Sequence, residues 1–314
     1  MAYIARPRAS FAPVLRRQFE SAAALATPTE TLGRWRLGKP LHEGPLASIR
    51  EARPETDEAT TTDAGWPYVV KRLHAHWQDE PRALDMLLRE ATVGCQICHR
   101  HLVTVVDGNL EDSPYYLVLP RLPGTTLAAS IASAGRLELP IALWIARQVA
   151  EALCALHDQG WLHADVKPEN IVVGPEGHAT LIDLGFARLS GEPGSAADRW
   201  VAGTWNYIAP EMICASGGFD GRSDLYSLGA ALYEMLSGQP PFAGRTLAEL
   251  AAAHRQSVPR PLGQLVPNLP EPVGELVHQL LAKQPLRRPN HASEVVRRLV
   301  ALEIATLGSQ LAPK

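Results

Sequence analysis

The sequence contains little cysteine, and its net charge is close to zero. Four cysteines in 314 residues are too few for a disulfide framework and indicate a reducing compartment. A formal net charge of -3 gives no electrostatic reason to expect nucleic acid or an anionic membrane as a partner. Cys95 and Cys98 form a C-x-x-C without a second pair at zinc-like spacing, so we expect both thiols to pack in a core.

Long hydrophobic runs are also missing. No stretch approaches the roughly 18 consecutive apolar residues of a membrane span. The N-terminal segment carries Arg6, Arg8, Arg16 and Arg17 but lacks the apolar region of a secretory signal. We therefore expect a soluble protein of the cytoplasm, with neither a membrane nor a nucleic acid as partner.

The chain has enough apolar residues for a sizeable core. Its 314 residues are 46% hydrophobic, which allows one large or two modest domains. Residues 1–33 are rich in Ala, Arg and Pro and lack sustained periodicity, so they are predicted to be a partly disordered tail with a short helix over 14–25.

Two regions of different character follow the tail. Short apolar runs separated by polar residues predict strands in the first region, and one helix-periodic segment interrupts them. The second region is rich in Ala and Leu and predicts helices that end at Gly or Pro. The predicted strands are 47–52, 68–73, 102–106 and 115–119; a loop is predicted over 54–67; the predicted helical segments are 80–98, 126–159, 222–237, 246–255 and 272–282. The predicted divisions are a small lobe (34–119), a hinge (120–124), a large lobe (125–302) and a C-terminal tail (303–314).

The most informative segment is His163–Asn170, followed by Asp183-Leu184-Gly185. It supplies one carboxylate, one lysine and one amide close together, and then a second carboxylate. Phosphoryl transfer needs an acid oxygen near the attacking hydroxyl, a cation for the migrating phosphate, and oxygen ligands for Mg²⁺. Asp165, Lys167, Asn170 and Asp183 therefore predict phosphoryl transfer.

These motifs resemble the catalytic loop and magnesium motif of the eukaryotic-like (Hanks-type) serine/threonine protein kinases. The resemblance implies an α+β bilobal fold with the nucleotide in a cleft between the lobes, and it implies ATP and Mg²⁺ as cofactors. It assigns proton acceptance to Asp165 and γ-phosphate neutralisation to Lys167, and it makes Asn170 and Asp183 metal ligands. It also implies that Lys71, on a predicted strand, pairs with Glu90 on the small-lobe helix.

Glycine is scarce where the family carries its phosphate-covering loop, G-x-G-x-x-G-x-V. Gly44 retains the middle glycine, but His42 and Ala47 replace the other two, and Pro45 stiffens the loop. A side chain at such a position holds the backbone away from the phosphates. The loop departs from the family pattern at these positions. The departure bears on how tightly the protein binds nucleotide, and not on its fold.

The resemblance also places the adenine. The implied hydrogen-bonding groups of the hinge are the Pro120 carbonyl and the Leu122 N–H. Proline lacks a backbone donor but keeps its carbonyl, so Pro120 can fill the acceptor position. Apolar side chains are implied above the base at Ile49 and Val69, and below it at Val172. The residues assigned to nucleotide binding are thus Leu41, Gly44, Ile49, Val69, Lys71, Pro120, Leu122 and Val172.

Residues after Asp183 are similar to the part of a protein kinase where the peptide docks. Gly203–Glu211 resembles the end of an activation segment, and Glu211 is implied to pair with Arg288 as a buried ion pair. Asp224 is implied to anchor the backbone of the catalytic loop. Small-molecule kinases of related fold lack these features, so protein serine and threonine hydroxyls are the implied substrates.

Three substitutions bear on regulation. Ala164 replaces the family's arginine, which binds a phosphate on the activation segment, so we expect activity that does not depend on that phosphate. Autophosphorylation is expected at 60–62 or on the tail. Leu184 replaces a phenylalanine conservatively beneath the helix. Gly94 replaces a large apolar side chain one turn after Glu90, which predicts a loosely held helix.

The leading interpretation is an ATP- and Mg²⁺-dependent serine/threonine protein kinase, a stand-alone bacterial enzyme with a counteracting phosphatase. The alternatives are a pseudokinase-like scaffold with weak ATP binding and a small-molecule kinase. Acidic residues that select basic peptides are sparse, with Thr126 at one such position and Glu169 alone near the peptide groove.

Overall fold

The structure, a computed structural model, describes residues 30–55, 65–192, 205–214 and 219–311. Several predicted features lie outside the described residues: the helix over 14–25, the autophosphorylation sites at 60–62, Ser195, Gly203 and Thr204.

A six-stranded antiparallel sheet forms the first lobe. Its strands lie in the order β1-β2-β3-β4-β6-β5. Their bounds are Thr31–Leu32 (β1), Trp35–Glu43 (β2), Ala47–Pro54 (β3), Tyr68–Leu73 (β4), Asp107–Asn109 (β5) and Tyr116–Pro120 (β6). Three of the four predicted strands are confirmed, and the sheet begins inside the segment predicted as tail.

The predicted strand over 102–106 is wrong. Leu102 makes one isolated bridge to Leu181, and the strand that pairs with β6 begins only at Asp107. Leu102, Val103 and Val105 are buried in the core instead, whereas Val106 is exposed. Periodicity alone could not separate a buried strand from a buried extended loop.

Alternation along the strands gives the sheet two different faces. One face, with Trp35, Leu37 and Val70, forms a small core of its own. The other face, with Leu73 and Leu117, joins the main core. Because residues two apart share a face, and because Ile49 lies opposite Lys71, Ile49, Val69 and Lys71 lie together on the side of the main core.

A single helix, α1 (Pro81–Gln96), covers that side of the sheet. Proline at its first turn fits a position whose N–H has no helical partner. Its buried residues include Leu87, Glu90 and Val93, and it contacts the turn at Leu184–Phe186. Cys95 and Cys98 are both exposed, so the prediction of packed thiols is wrong: Cys95 lies outside the buried face, and Cys98 follows the end of the helix.

Seven helices are described in the second lobe. They are α2 (Leu127–Ala134), α3 (Leu139–His157), α4 (Pro210–Cys214), α5 (Gly221–Ser237), α6 (Leu247–Gln256), α7 (Glu271–Leu280) and α8 (Ala292–Leu311). The predicted helical segments are confirmed to within a few residues, except that the segment over 126–159 is split at Gly135, whose φ of 76° ends α2. α8 continues through most of the predicted C-terminal tail.

Five short strands carry the site of the second lobe. Thr125–Thr126 (β7), Ile171–Val173 (β9) and Ala179–Leu181 (β10) form one sheet, and Trp161–Leu162 (β8) pairs with Arg188–Leu189 (β11). The catalytic loop lies between β8 and β9, and Asp183 follows β10. These pairings confirm the bilobal α+β fold and bring distant chain segments to one cleft.

α3 is the core helix of the second lobe. It packs on α5 and α8, and its buried residues include Leu143, Leu153 and Leu156. Within the described residues it is the one helix long and apolar enough to cross a membrane, with a hydropathy of 1.4. Burial of its apolar side chains inside the lobe accounts for that composition.

Candidate active site

Three charged side chains from distant segments meet at the back of the cleft. Lys71 Nζ, on β4, lies 2.6 Å from Glu90 Oε2 on α1 and 2.9 Å from Asp183 Oδ1. Glu90 is almost wholly buried, whereas Asp183 keeps about a third of its side chain exposed, at 34%. The lysine therefore joins the sheet, the helix and the second lobe at one point.

Electrostatics favour the charged forms of Lys71 and Asp183. Burial alone lowers the pKa of Lys71, but Asp183 and Glu90 outweigh burial and hold that pKa above its usual range. Burial raises the pKa of Glu90 in spite of Lys71. Burial also opposes ionisation of Asp183, but Lys71 and Lys167 hold its pKa below the usual range, so Asp183 is a carboxylate at neutral pH.

The catalytic loop brings Asp165, Lys167 and Asn170 together. Lys167 Nζ lies 2.7 Å from Asp165 Oδ2, and Asn170 Nδ2 donates to Asp165 Oδ2 at 2.8 Å and to the Asp165 carbonyl at 2.9 Å. Burial raises the pKa of Asp165, and Lys167 offsets this only in part. A buried carboxylate with a raised pKa is suited to accept a proton.

Two oxygens remain for a metal ion. Asn170 donates through its Nδ2, which leaves Oδ1, and Asp183 accepts from Lys71 through Oδ1, which leaves Oδ2. Carboxylate and amide oxygens are the ligands that Mg²⁺ takes. The described residues contain no cluster of three His, Cys, Asp or Glu side chains suited to a metal, so these two oxygens fit an ion completed by water and phosphate rather than a closed protein cage.

Asp224 holds the catalytic loop from α5. Its carboxylate accepts the backbone N–H groups of His163 and Ala164, each at 2.8 Å, and His157 Nε2 lies 2.9 Å from it. Ala164 has φ 63° and Asp183 has φ 66°, a left-handed region that costs a residue with a side chain about 1–3 kcal/mol. The two hydrogen bonds to Asp224 stabilise the strained turn at Ala164.

The predicted ion pair between Glu211 and Arg288 is present. Arg288 Nη1 lies 2.6 Å from Glu211 Oε1, and Nη2 lies 2.8 Å from Oε2, a bidentate geometry. The Arg288 side chain is fully buried and also donates to three backbone carbonyls. Ser223 donates to Glu211 at 2.7 Å. The pair fixes the first turn of α4 to the body of the second lobe.

The residues assigned to nucleotide binding lie around the front of the cleft. Leu41 is exposed, and Ile49, Val69 and Val172 are partly buried. Pro120 ends β6, with Tyr68 opposite it. Among the described residues nothing accepts a hydrogen bond from the Leu122 N–H, so that donor remains for a ligand.

Gly94 leaves no gap beside α1, contrary to the expectation on which the loosely held helix was predicted. Gly94 is buried, and a Cβ there would lie 2.7 Å from Val105 Cγ2. Its carbonyl accepts from the Val105 N–H at 3.1 Å and from Thr104 Oγ1 at 3.0 Å. Val105 therefore occupies the space that a large side chain was expected to fill. Leu184 is fully buried beneath α1, as the sequence predicts.

Sequence reasoning missed Glu234. Tyr207, near the end of the activation segment, donates its hydroxyl to Glu234 Oε2 at 2.5 Å. Burial raises the pKa of Glu234, as does the nearby Glu169. Glu169 is therefore not the sole acidic residue beside the peptide groove. No motif marks Glu234, because it lies on an apolar core helix far from the catalytic loop in sequence.

Comparisons with known proteins agree with this geometry. The protein kinase domain family model matches residues 55–299. The chain is 33% identical over 228 residues to a probable serine/threonine-protein kinase of Clostridium perfringens, covering 72% of this chain and 33% of that protein. It is 30% identical over 242 residues to serine/threonine-protein kinase PknH of Mycobacterium tuberculosis (77% of this chain, 38% of PknH).

A third relative is serine/threonine-protein kinase pkn2 of Myxococcus xanthus, 32% identical over 282 residues (87% of this chain, 33% of pkn2). The chain thus spans between a third and two fifths of the length of these curated relatives.

Proposed function

The chain belongs to the Hanks-type protein kinase family, and from that premise we propose that it transfers the γ-phosphate of ATP to serine and threonine hydroxyls of proteins. The observation that carries the proposal is the meeting of Lys71, Glu90 and Asp183 within 2.9 Å or less. In protein kinases the lysine–glutamate pair and the metal-binding aspartate must both be in place for catalysis.

The nucleotide enters between the sheet and β9. Ile49 and Val69 above, and Val172 below, offer an apolar slot for the purine. The Pro120 carbonyl and the free Leu122 N–H supply an acceptor and a donor for the adenine edge. Lys71 lies deeper in the cleft, where it contacts the α- and β-phosphates.

Asn170 and Asp183 would hold Mg²⁺ through the two oxygens for which the described part of the chain supplies no hydrogen-bond donor. When bound, the ion neutralises charge on the phosphates. Asp165 then accepts or orients the proton of the attacking hydroxyl, while Lys167 neutralises the γ-phosphate. The raised pKa of Asp165 supports this division of roles.

A protein substrate is favoured over a small molecule. The bidentate Glu211–Arg288 pair holds the segment where a peptide docks, and a small-molecule kinase has no need for it. The exposed Glu169 places a carboxylate beside that groove, which supports a preference for basic residues near the phosphorylated hydroxyl.

Activity without a phosphate on the activation segment is part of the proposal. Ala164 offers no cation to such a phosphate, and this substitution supports the proposal. A cytoplasmic setting and a counteracting phosphatase complete the proposed role.

Phosphoamino-acid analysis tests the proposal. The protein is incubated with labelled ATP, a general protein substrate and Mg²⁺, beside an Asp165→Ala variant. Label on serine or threonine that is absent with the variant supports a protein kinase. Nucleotide binding without any transfer supports a pseudokinase-like scaffold. Label found only on small-molecule acceptors supports a small-molecule kinase.

A further inference from the structure

The tip of the phosphate-covering loop is bonded to the connection between β4 and α1. The tip is the turn Gly44-Pro45-Leu46 between β2 and β3. All three of its carbonyl oxygens accept hydrogen bonds from that connection. His74 Nε2 lies 2.7 Å from Gly44 O, Trp77 Nε1 donates to Pro45 O at 2.9 Å, and the His74 N–H donates to Leu46 O at 3.1 Å.

This anchoring determines where the N–H groups of the tip point. In a trans peptide the C=O and the following N–H point in opposite directions. Because Pro45 O points at Trp77, the Leu46 N–H points away from the connection. Gly44 donates its N–H to Ala47 O at 3.0 Å, and Pro45 has none. Among the described residues, nothing accepts from Leu46 N–H, so it is a free donor at the tip.

The hydrogen bonds from His74 and Trp77 compensate for glycines that the loop lacks. His42 and Ala47 replace two glycines of the family pattern, so the loop cannot bend freely to fit its backbone around phosphates. A Cβ at Gly44 would lie 3.2 Å from Ala47 O and 3.5 Å from the His42 ring, so even the remaining glycine is closely surrounded. A loop of this kind binds phosphate well only when it is held in the right place beforehand.

We propose that His74 and Trp77 are positioning residues that hold the phosphate-covering loop over the triphosphate, in place of the flexibility that the missing glycines would give. This inference rests on the proposed function, because it requires a nucleotide in the cleft. His74 and Trp77 do not touch the nucleotide; they act through the carbonyls of Gly44 and Pro45.

The consequence is specific to phosphate. The anchored tip lies over the phosphates, whereas the base contacts Ile49, Val69, Val172 and the hinge. Removal of either anchoring side chain should therefore weaken the binding of ATP and ADP and leave the binding of adenosine unchanged. A general loss of structure would weaken all three.

The test measures dissociation constants for ATP, ADP and adenosine, together with KM for ATP and the thermal midpoint. His74→Leu removes one side-chain donor, and Trp77→Phe removes the other but keeps a ring. His74→Gln places an amide N–H near the position of Nε2 and serves as the rescue. Asp79→Asn, an exposed position in the same connection without a hydrogen bond to the loop, is the matched control.

Each donor removed should raise the ATP dissociation constant about threefold to tenfold, the range for one hydrogen bond. Adenosine binding and the thermal midpoint should stay unchanged, and His74→Gln should recover most of the loss. Unchanged or tighter ATP binding in His74→Leu and Trp77→Phe would overturn the inference, as would an equal loss for adenosine. If the wild type binds nucleotide but transfers no phosphate, the proposed function fails while the positioning role survives.

Discussion

Lys71 Nζ lies 2.9 Å from Asp183 Oδ1, so a small-lobe strand and the turn after β10 of the large lobe are in direct contact. Lys71 holds Glu90 at the same time, at 2.6 Å. The side chains proposed to bind the phosphates and Mg²⁺ are therefore positioned by the fold itself. The fold brings these side chains together, and this arrangement leads to predictions about pH, stability and regulation.

The first prediction concerns pH and Asp165. In the proposed mechanism the ionised carboxylate accepts the proton, so activity should be present above its pKa and be lost as pH falls through it. Lys167 lowers that pKa against the effect of burial. The variant Lys167→Met should therefore move the acid limb of the kcat profile to higher pH, besides lowering kcat.

Profiles of kcat against pH at saturating ATP measure this shift. Lys39→Met, which removes an exposed lysine near Glu51, is the control and should leave the limb in place. An acid limb at the same pH in Lys167→Met and wild type would show that Asp165 does not control it.

The second prediction concerns the Glu211–Arg288 pair. Arg288→Ala leaves Glu211 without its partner and deprives three backbone carbonyls of a donor. Loss of one partner of a buried pair costs about 3–5 kcal/mol. Denaturant unfolding should show a loss of that order. Arg89→Ala, which breaks an exposed contact with Glu192 at 3.9 Å, should cost less than about 0.5 kcal/mol.

The Glu211–Arg288 pair also makes the free energy of unfolding depend on pH. Arg288 holds the pKa of Glu211 below its usual range in spite of burial. The stabilisation that ionised Glu211 contributes is therefore fully present above the pKa of Glu211 in the unfolded state. It is lost as pH falls through the lower pKa of Glu211 in the folded state. Wild type and Arg288→Ala should differ less in unfolding free energy at strongly acid pH than at neutral pH; a constant difference would argue against an ionised pair.

The third prediction concerns Gly94. In an ordinary helix Gly→Ala stabilises by about 1 kcal/mol, but here the new methyl would lie 2.7 Å from Val105 Cγ2. Gly94→Ala should therefore destabilise the protein by about 1–3 kcal/mol through overpacking. Val105→Ala in the same chain should recover part of that loss, as a double-mutant cycle can measure. Stabilisation by Gly94→Ala alone would show that the helix is free to move there.

The fourth prediction concerns the activation segment. Ser190 is exposed and Ser195 lies outside the described residues. Because Ala164 cannot bind a phosphate, the double variant Ser190→Ala, Ser195→Ala should keep more than half of the wild-type rate. Initial rates with a protein substrate measure this, with Asp165→Ala as the inactive reference. Loss of most activity in the double variant would contradict it.

Sequence patterns predicted the lobes because strand and helix periodicities differ, and the motifs marked Asp165, Lys167, Asn170 and Asp183. Three features could not be predicted from the sequence, because they depend on contacts between distant segments. The run over 102–106 has the composition of a strand but forms a loop with three buried apolar residues. Gly94 is explained by Val105, which only the folded chain brings near. His74 and Trp77 carry no motif, and their role is visible only from the carbonyls they meet.

The most direct test of the central claim is phosphotransfer by protein freed of phosphate. The wild type is treated with a phosphatase, purified, and mixed with labelled ATP, Mg²⁺ and a protein substrate, beside Asp165→Ala. An assembled site predicts label on serine or threonine from the first time point, without a lag, and none with Asp165→Ala. No transfer by the wild type, or transfer only after a lag in which the kinase itself becomes labelled, would contradict the claim.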